Sequence, residues 1–198
     1  MSIQNKHEQC YARAMIRSPW PMIATLSRIV IVPLIVLIMI YKWPYWNWIS
    51  SILFILASIT DWLDGYLARK LKSVSVMGKL LDPVADKILV SSILIMLIPL
   101  GRIEALAVLI LINRDVLISG IRSLAASSNY IIDAGQLGKW KTAVQMVAIP
   151  ALLINDTFWD IPFGSLGYWG IWLSVTLSLI SGFQYFIAFT QHYRKKVV

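Results

Sequence analysis

The segment Asp61–Asp86, DWLDGYLARKLKSVSVMGKLLDPVAD, separates two long apolar stretches and holds four of the chain's ten acidic residues: Asp61, Asp64, Asp82 and Asp86. Asp61 and Asp64 are spaced i, i+3, and Asp82 and Asp86 are spaced i, i+4, so on helices each pair shares a face. Four carboxylates at the ends of two apolar helices keep their charge only with something positive between them. The segment contains no Cys or His and offers only oxygen donors, which suits a hard divalent cation such as Mg²⁺ or Mn²⁺.

The surrounding chain places this segment at a membrane. Of its 198 residues 58% are hydrophobic and 14% charged, and the mean hydropathy of +0.70 lies far above that of an ordinary soluble domain. The expected fold is therefore an all-α integral membrane protein. The net charge of +8 points to anionic lipid or phosphate at the cytoplasmic face and not to nucleic acid. One cysteine, Cys10, excludes an intrachain disulfide. Residues 1–18 are polar and basic without the apolar core of a signal peptide. No repeat or long linker divides the chain, so one domain over 1–198 is expected.

Six transmembrane helices are expected, over about 23–41, 48–68, 78–100, 103–123, 138–154 and 168–190. Residues 5–19, within an N-terminal stretch 1–20, read either as an interfacial helix with Arg13 and Arg17 at the headgroups or as a frayed polar terminus. Pro33 is a candidate kink in the first span. Pro83 is read as tolerable near the start of the third. Sixteen of the eighteen Lys and Arg residues then fall on one side, leaving Lys42 and Arg102 opposite. The positive-inside rule puts both termini, and all four carboxylates, on the cytoplasmic side.

The inner parts of the other spans carry cations. Arg28 either snorkels to the interface or turns inward to a phosphate. Arg114 and Asp115 read either as a structural intramembrane ion pair or as part of a site. Lys139 and Lys141 open a cytoplasmic span, as the positive-inside rule alone demands, or meet substrate, and Arg122 is a further polar residue of the fourth span. Carboxylates that hold a metal, facing cations that hold a second anion, suit a reaction among phosphates. A small cation transporter is the non-enzymatic alternative, but it calls for ligands near the bilayer midplane.

Asp61-x-x-Asp64-Gly65-x-x-Ala68-Arg69, eight further residues, then Gly78-x-x-x-Asp82-x-x-x-Asp86 resembles the signature of the CDP-alcohol phosphatidyltransferases at all eight fixed positions and both spacings. The stretches DPVADK (82–87), Arg114-Asp115 with LISGIRSLAA, and GKWKTAVQM (138–146) are similar to the bacterial branch whose acceptor is glycerol 3-phosphate. Asp115 stands where that branch has glutamate, and Ser123 where it often has an acidic residue.

The resemblance implies that CDP-diacylglycerol binds at Asp61, Gly65, Ala68, Arg69 and Gly78. It implies a two-metal Mg²⁺ or Mn²⁺ site held by Asp61, Asp64, Asp82 and Asp86, with Asp86 also the general base. The acceptor phosphate is expected among Arg28, Arg114, Arg122, Lys139 and Lys141. The product is then phosphatidylglycerophosphate, with CMP released. Sister acceptors are phosphatidylglycerol (giving cardiolipin), serine and inositol phosphate. A homodimer in the bacterial inner membrane, with the active site facing the cytoplasm, is also implied.

Overall fold

A computed structural model describes the backbone of residues 20–71, 76–127, 135–158 and 160–197. These residues form six helices: α1 (Trp20–Tyr41), α2 (Trp46–Leu71), α3 (Val76–Leu97), α4 (Ala105–Ser127), α5 (Gln136–Ile154) and α6 (Phe163–Val197). A short antiparallel ribbon, β1 (Thr157–Phe158) paired with β2 (Ile161–Pro162), precedes α6. The all-helical class matches the sequence expectation. The expected interfacial helix over 5–19 lies outside the described residues.

Helix bounds depart from the expected spans at the ends. α6 starts at Phe163, not Tyr168, and runs on through the basic tail to Val197. α3 starts at Val76, so Pro83 falls beyond the first turn and not near the helix start as expected. α1 is helical across Pro33. Hydropathy marks where a lipid-facing stretch begins, whereas the hydrogen-bond ladder continues wherever no breaker interrupts it. Among the described residues one helix is long and apolar enough to cross a membrane, α6 over Phe163–Ile187. Shorter apolar runs occupy Val30–Tyr41, Trp46–Thr60 and Lys87–Leu97.

The chain divides into two compact units between Ser92 and Ile93, within α3. In the first, α1 packs on α2. Each helix buries a stripe at helical spacing, Val32, Ile35 and Met39 on α1 and Ser50, Phe54 and Ala57 on α2.

In the second unit α6 packs against both α4 and α5. Polar contacts fix the directions. Glu104, just ahead of α4, accepts hydrogen bonds from the Tyr168 hydroxyl (2.6 Å) and the Trp172 indole (3.3 Å). Farther along, Arg114 reaches Ser178 and Ser181, and Arg122 reaches Tyr185. α4 and α6 therefore run parallel, with α5 returning between them in sequence. Arg102 donates to the carbonyls of Leu152 (2.9 Å) and Leu153 (2.5 Å), capping the end of α5 where helix carbonyls lack partners. Burial pulls its pKa below the ordinary arginine value, and the charge of Asp156 opposes that shift. Asn155 closes α5 in the left-handed conformation (φ 52°), its N–H donating to the Ala151 carbonyl.

The face of α6 turned to its neighbours sets small residues among the buried Ile171, Val175 and Tyr185. A Cβ placed on Gly167 would sit 2.7 Å from the Leu152 nitrogen and 2.9 Å from the Ala148 carbonyl oxygen, and one on Gly170 2.8 Å from the Ala148 Cβ. Ser174, Ser178 and Ser181 continue this face and are buried. Leu173, Leu179, Phe183 and Phe186 point outward and are exposed. Serines inside and large apolar side chains outside depart from the pattern of a water-soluble helix and suit lipid as the surrounding solvent.

Gly167→Val is expected to force α5 and α6 apart and lower the melting temperature in detergent by roughly 4 °C or more, the equivalent of about 1–3 kcal/mol of overpacking. Gly120→Ala on α4, where an added Cβ meets nothing within 4 Å, is expected to be neutral or slightly stabilising. Equal melting of both variants would remove the close approach at Gly167 as a packing constraint.

Candidate active site

The carboxylate motif lies on two helices of unbroken backbone. Asp61, Asp64, Gly65, Ala68 and Arg69 belong to α2, and Gly78, Asp82 and Asp86 to α3. Positions 61, 64, 65 and 68 follow i, i+3, i+4, i+7, and 78, 82 and 86 follow i, i+4, i+8. Each set thus forms a single helical stripe. The side chains of Asp61, Asp64, Gly65, Ala68, Arg69, Gly78, Asp82 and Asp86 lie outside the described residues, so their ligand roles rest on donor chemistry and spacing. Arg28, in the same unit, is 2% exposed. An arginine buried to that degree does not snorkel, and the interfacial alternative is set aside.

In the second unit the structure assembles a charged layer from three helices. Asp115 on α4 accepts from Arg114 Nη1 at 3.1 Å and from Lys141 Nζ of α5 at 2.6 Å. Arg114 extends across to α6, with Nε donating to the Ser178 carbonyl (3.1 Å) and Nη2 to the Ser181 hydroxyl (2.6 Å). The Lys141 side chain is 4% exposed. Its backbone carbonyl accepts from Ser174 Oγ at 3.3 Å, binding α5 to α6 at the same level. Arg114 and Asp115 thus form the ion pair that one of the two readings expected, with Lys141 as a second cation on the same carboxylate. The Gln145 amide nitrogen and the Ser178 hydroxyl are buried on the facing stripes with no hydrogen-bond partner among the described residues, so the layer keeps unused polar capacity.

Arg122 lies two turns along α4 from Arg114. Its Nη2 donates to the Tyr185 hydroxyl, and its guanidinium carbon stands 4.9 Å from the centre of the Tyr185 ring. Arg122 and Lys139 are exposed. The expected cations therefore separate into Arg114 and Lys141, joined through Asp115, and Arg122 and Lys139 nearer the surface. A cavity of about 350 Å³, lined by Arg102, Asn155, Asp156, Tyr168 and Trp169 among others, lies at the opposite end of this unit. Tyr185 and the serine stripe of α6 escaped the sequence reading. Serines every three or four residues in an apolar span were the available signal for the stripe, while a single tyrosine among interfacial aromatics gave none.

A family model described as CDP-alcohol phosphatidyltransferase matches residues 19–180. A Bacillus subtilis protein named CDP-diacylglycerol–glycerol-3-phosphate 3-phosphatidyltransferase is 38% identical over 177 residues, covering 82% of this chain and 90% of its own length. A Rickettsia bellii protein of the same name is 35% identical over 174 residues, covering 87% of this chain and 96% of its own. An Arabidopsis thaliana protein, named as the chloroplastic or mitochondrial form of that enzyme, is 40% identical over 150 residues, or 68% of this chain and 50% of its own length.

Asp115→Asn removes the carboxylate that Arg114 and Lys141 share. It is expected to cost about 2–3 kcal/mol, discounted for the partial exposure of Asp115, and to lower the melting temperature by roughly 5 °C or more. Adding Lys141→Met is expected to recover most of that loss. Melting of Asp115→Asn within about 1 °C of the parent would show that the layer does not depend on the carboxylate.

Proposed function

The chain belongs to the CDP-alcohol phosphatidyltransferase family, and from that premise we propose that it transfers the phosphatidyl group of CDP-diacylglycerol to sn-glycerol 3-phosphate, releasing CMP. The observation that carries this is the full eight-position signature on the unbroken backbones of α2 and α3. The shared name of relatives that match most of the chain supports the acceptor.

The donor set of Asp61, Asp64, Asp82 and Asp86, all hard oxygens on two helical stripes, fits Mg²⁺ or Mn²⁺, and these four residues would hold a two-metal site. When bound, the ions neutralise the diphosphate and stabilise the charge that develops as the phosphoryl bond changes hands. Asp61, Gly65, Ala68, Arg69 and Gly78 bind the CDP portion, the small residues leaving room for a nucleotide near the backbone. Asp86 takes the proton of the acceptor hydroxyl as its oxygen attacks the phosphorus that carries the lipid. The bond from that phosphorus to the CMP oxygen breaks, and CMP leaves with the electron pair.

The acceptor's own phosphate meets the cations Arg28, Arg114, Arg122, Lys139 and Lys141. The meeting of Arg114 and Lys141 at one carboxylate supports this assignment, because it gathers two cations from neighbouring helices. Arginine suits a phosphate because its planar fork donates two parallel hydrogen bonds. Six spans, with both termini and the active site on the cytoplasmic side of a bacterial inner membrane, accord with the distribution of Lys and Arg. A homodimer is the expected assembly.

The test supplies purified protein with CDP-diacylglycerol and Mg²⁺ or Mn²⁺ and follows CMP release with glycerol 3-phosphate, serine, inositol phosphate and phosphatidylglycerol offered separately. Release with glycerol 3-phosphate is expected; release only with another acceptor would move the protein to a sister branch. Asp86→Asn is expected to reduce turnover at least about a hundredfold with the melting temperature retained. Near-parental turnover would remove Asp86 as the base. Lys141→Ala is expected to raise the apparent KM for glycerol 3-phosphate more than that for CDP-diacylglycerol, and equal changes would count against an acceptor-phosphate role.

A further inference from the structure

Tyr185 is 4% exposed on α6, and its hydroxyl oxygen accepts two hydrogen bonds. One comes from Arg122 of α4, and the other from the backbone N–H of Gly135, at 3.1 Å. Gly135 is the N-cap of α5 and has no side chain of its own to cap that helix start. The first turn of a helix leaves its N–H groups without intrahelical acceptors, and a glycine has no oxygen of its own to supply. The Tyr185 hydroxyl supplies one from another helix. Its ring lies against the Arg122 guanidinium as well, so that cation is held by a hydrogen bond and by the ring face together. A single side chain therefore sets the position of Arg122 and of the turn from which Lys139 and Lys141 follow.

We propose that Tyr185 is a positioning residue for acceptor binding: it aims Arg122 and fixes the start of α5, which carries Lys139, so that these two surface cations meet the acceptor phosphate already in place. This rests on the assignment of that phosphate to Arg122 and Lys139. A guanidinium has five N–H donors in a fixed fork. The bond to Tyr185 uses one of them, and Arg122, exposed at the surface of the unit, keeps the others for an oxyanion. Phosphate held by an arginine already oriented costs less ordering on binding than phosphate held by a free side chain. Tyr185 itself touches no substrate. Its removal is felt by the phosphate-bearing acceptor and not by the lipid nucleotide.

Tyr185→Phe keeps the ring beneath Arg122 and deletes only the oxygen, so it separates positioning from packing. In the full chain in detergent, with CDP-diacylglycerol and Mg²⁺, Tyr185→Phe is expected to raise the apparent KM for glycerol 3-phosphate about tenfold, the effect of one lost hydrogen bond to a charged group. The KM for CDP-diacylglycerol and kcat are expected to change less than about twofold. Arg122→Ala is expected to raise the acceptor KM at least as far, and the double variant no further than Arg122→Ala alone. Equal rises in both KM values, or fully additive losses in the double variant, overturn the proposal.

A second measurement does not depend on turnover. Stabilisation of the parent protein by glycerol 3-phosphate alone, read as a rise in melting temperature, is expected to fall in both Tyr185→Phe and Arg122→Ala. Undiminished stabilisation in Tyr185→Phe, or none in the parent, overturns the positioning role. A parent protein that is stabilised by glycerol 3-phosphate yet releases CMP only with a different acceptor would instead overturn the proposed reaction. The Tyr185 proposal then stands or falls on the melting shifts.

Discussion

A carboxylate cannot sit among apolar helices without a partner, and Asp115 has two: Arg114 beside it and Lys141 across on α5, the latter at 2.6 Å. Removing a charge from water costs several kcal/mol, so the pairing decides how the helices of this unit can meet. Once Lys141 is drawn to Asp115, its backbone carbonyl lies at Ser174, and the guanidinium of Arg114 lies at Ser178 and Ser181. Polar contacts then fall at three levels. Arg102 and Glu104 bind one end, the Asp115 layer binds the middle, and Arg122, Tyr185 and Gly135 bind the other end. In an apolar surrounding each level acts as a register mark, because a helix displaced by one turn would leave charged groups unpaired.

Between these levels the helices are held by close contact. Gly167 and Gly170 admit the α5 backbone to α6, and the buried serines continue the same narrow face. Small residues serve this purpose where the hydrophobic effect cannot drive two apolar surfaces together, since lipid is as apolar as leucine. The exposed Leu173, Phe183 and Phe186 of α6 would each be costly in water, at about 25 cal/mol per Å² of apolar surface. Their exposure is consistent with the length and composition of α6, which suffice to cross a bilayer.

The sequence made the helices and the carboxylate motif legible because both are local. Apolar runs of about twenty residues give helices in lipid almost without alternative, and the spacing from Asp61 to Asp86 is visible without any knowledge of packing. Helix ends were less legible, as α6 shows by extending at both ends beyond the expected span of 168–190. Long-range partners could not be read at all. Asp115 and Lys141 are 26 positions apart, Arg122 and Tyr185 are 63 apart, and nothing in a linear pattern says which cation meets which acceptor. Arg102 was counted only as an outside charge, whereas it caps α5. Arg28, left open between lipid interface and interior, is buried.

Family membership, the signature on α2 and α3, and the paired cations of α4 and α5 converge on transfer of a phosphatidyl group to a phosphorylated alcohol. Mass analysis of the lipid product formed from CDP-diacylglycerol and isotopically labelled glycerol 3-phosphate tests that claim most directly. The account predicts a phosphatidylglycerophosphate that carries the label and both phosphates, formed in step with CMP and lost when a chelator removes the divalent ion. CMP release with no label in the lipid, or a labelled product formed equally well with the chelator present, would contradict it.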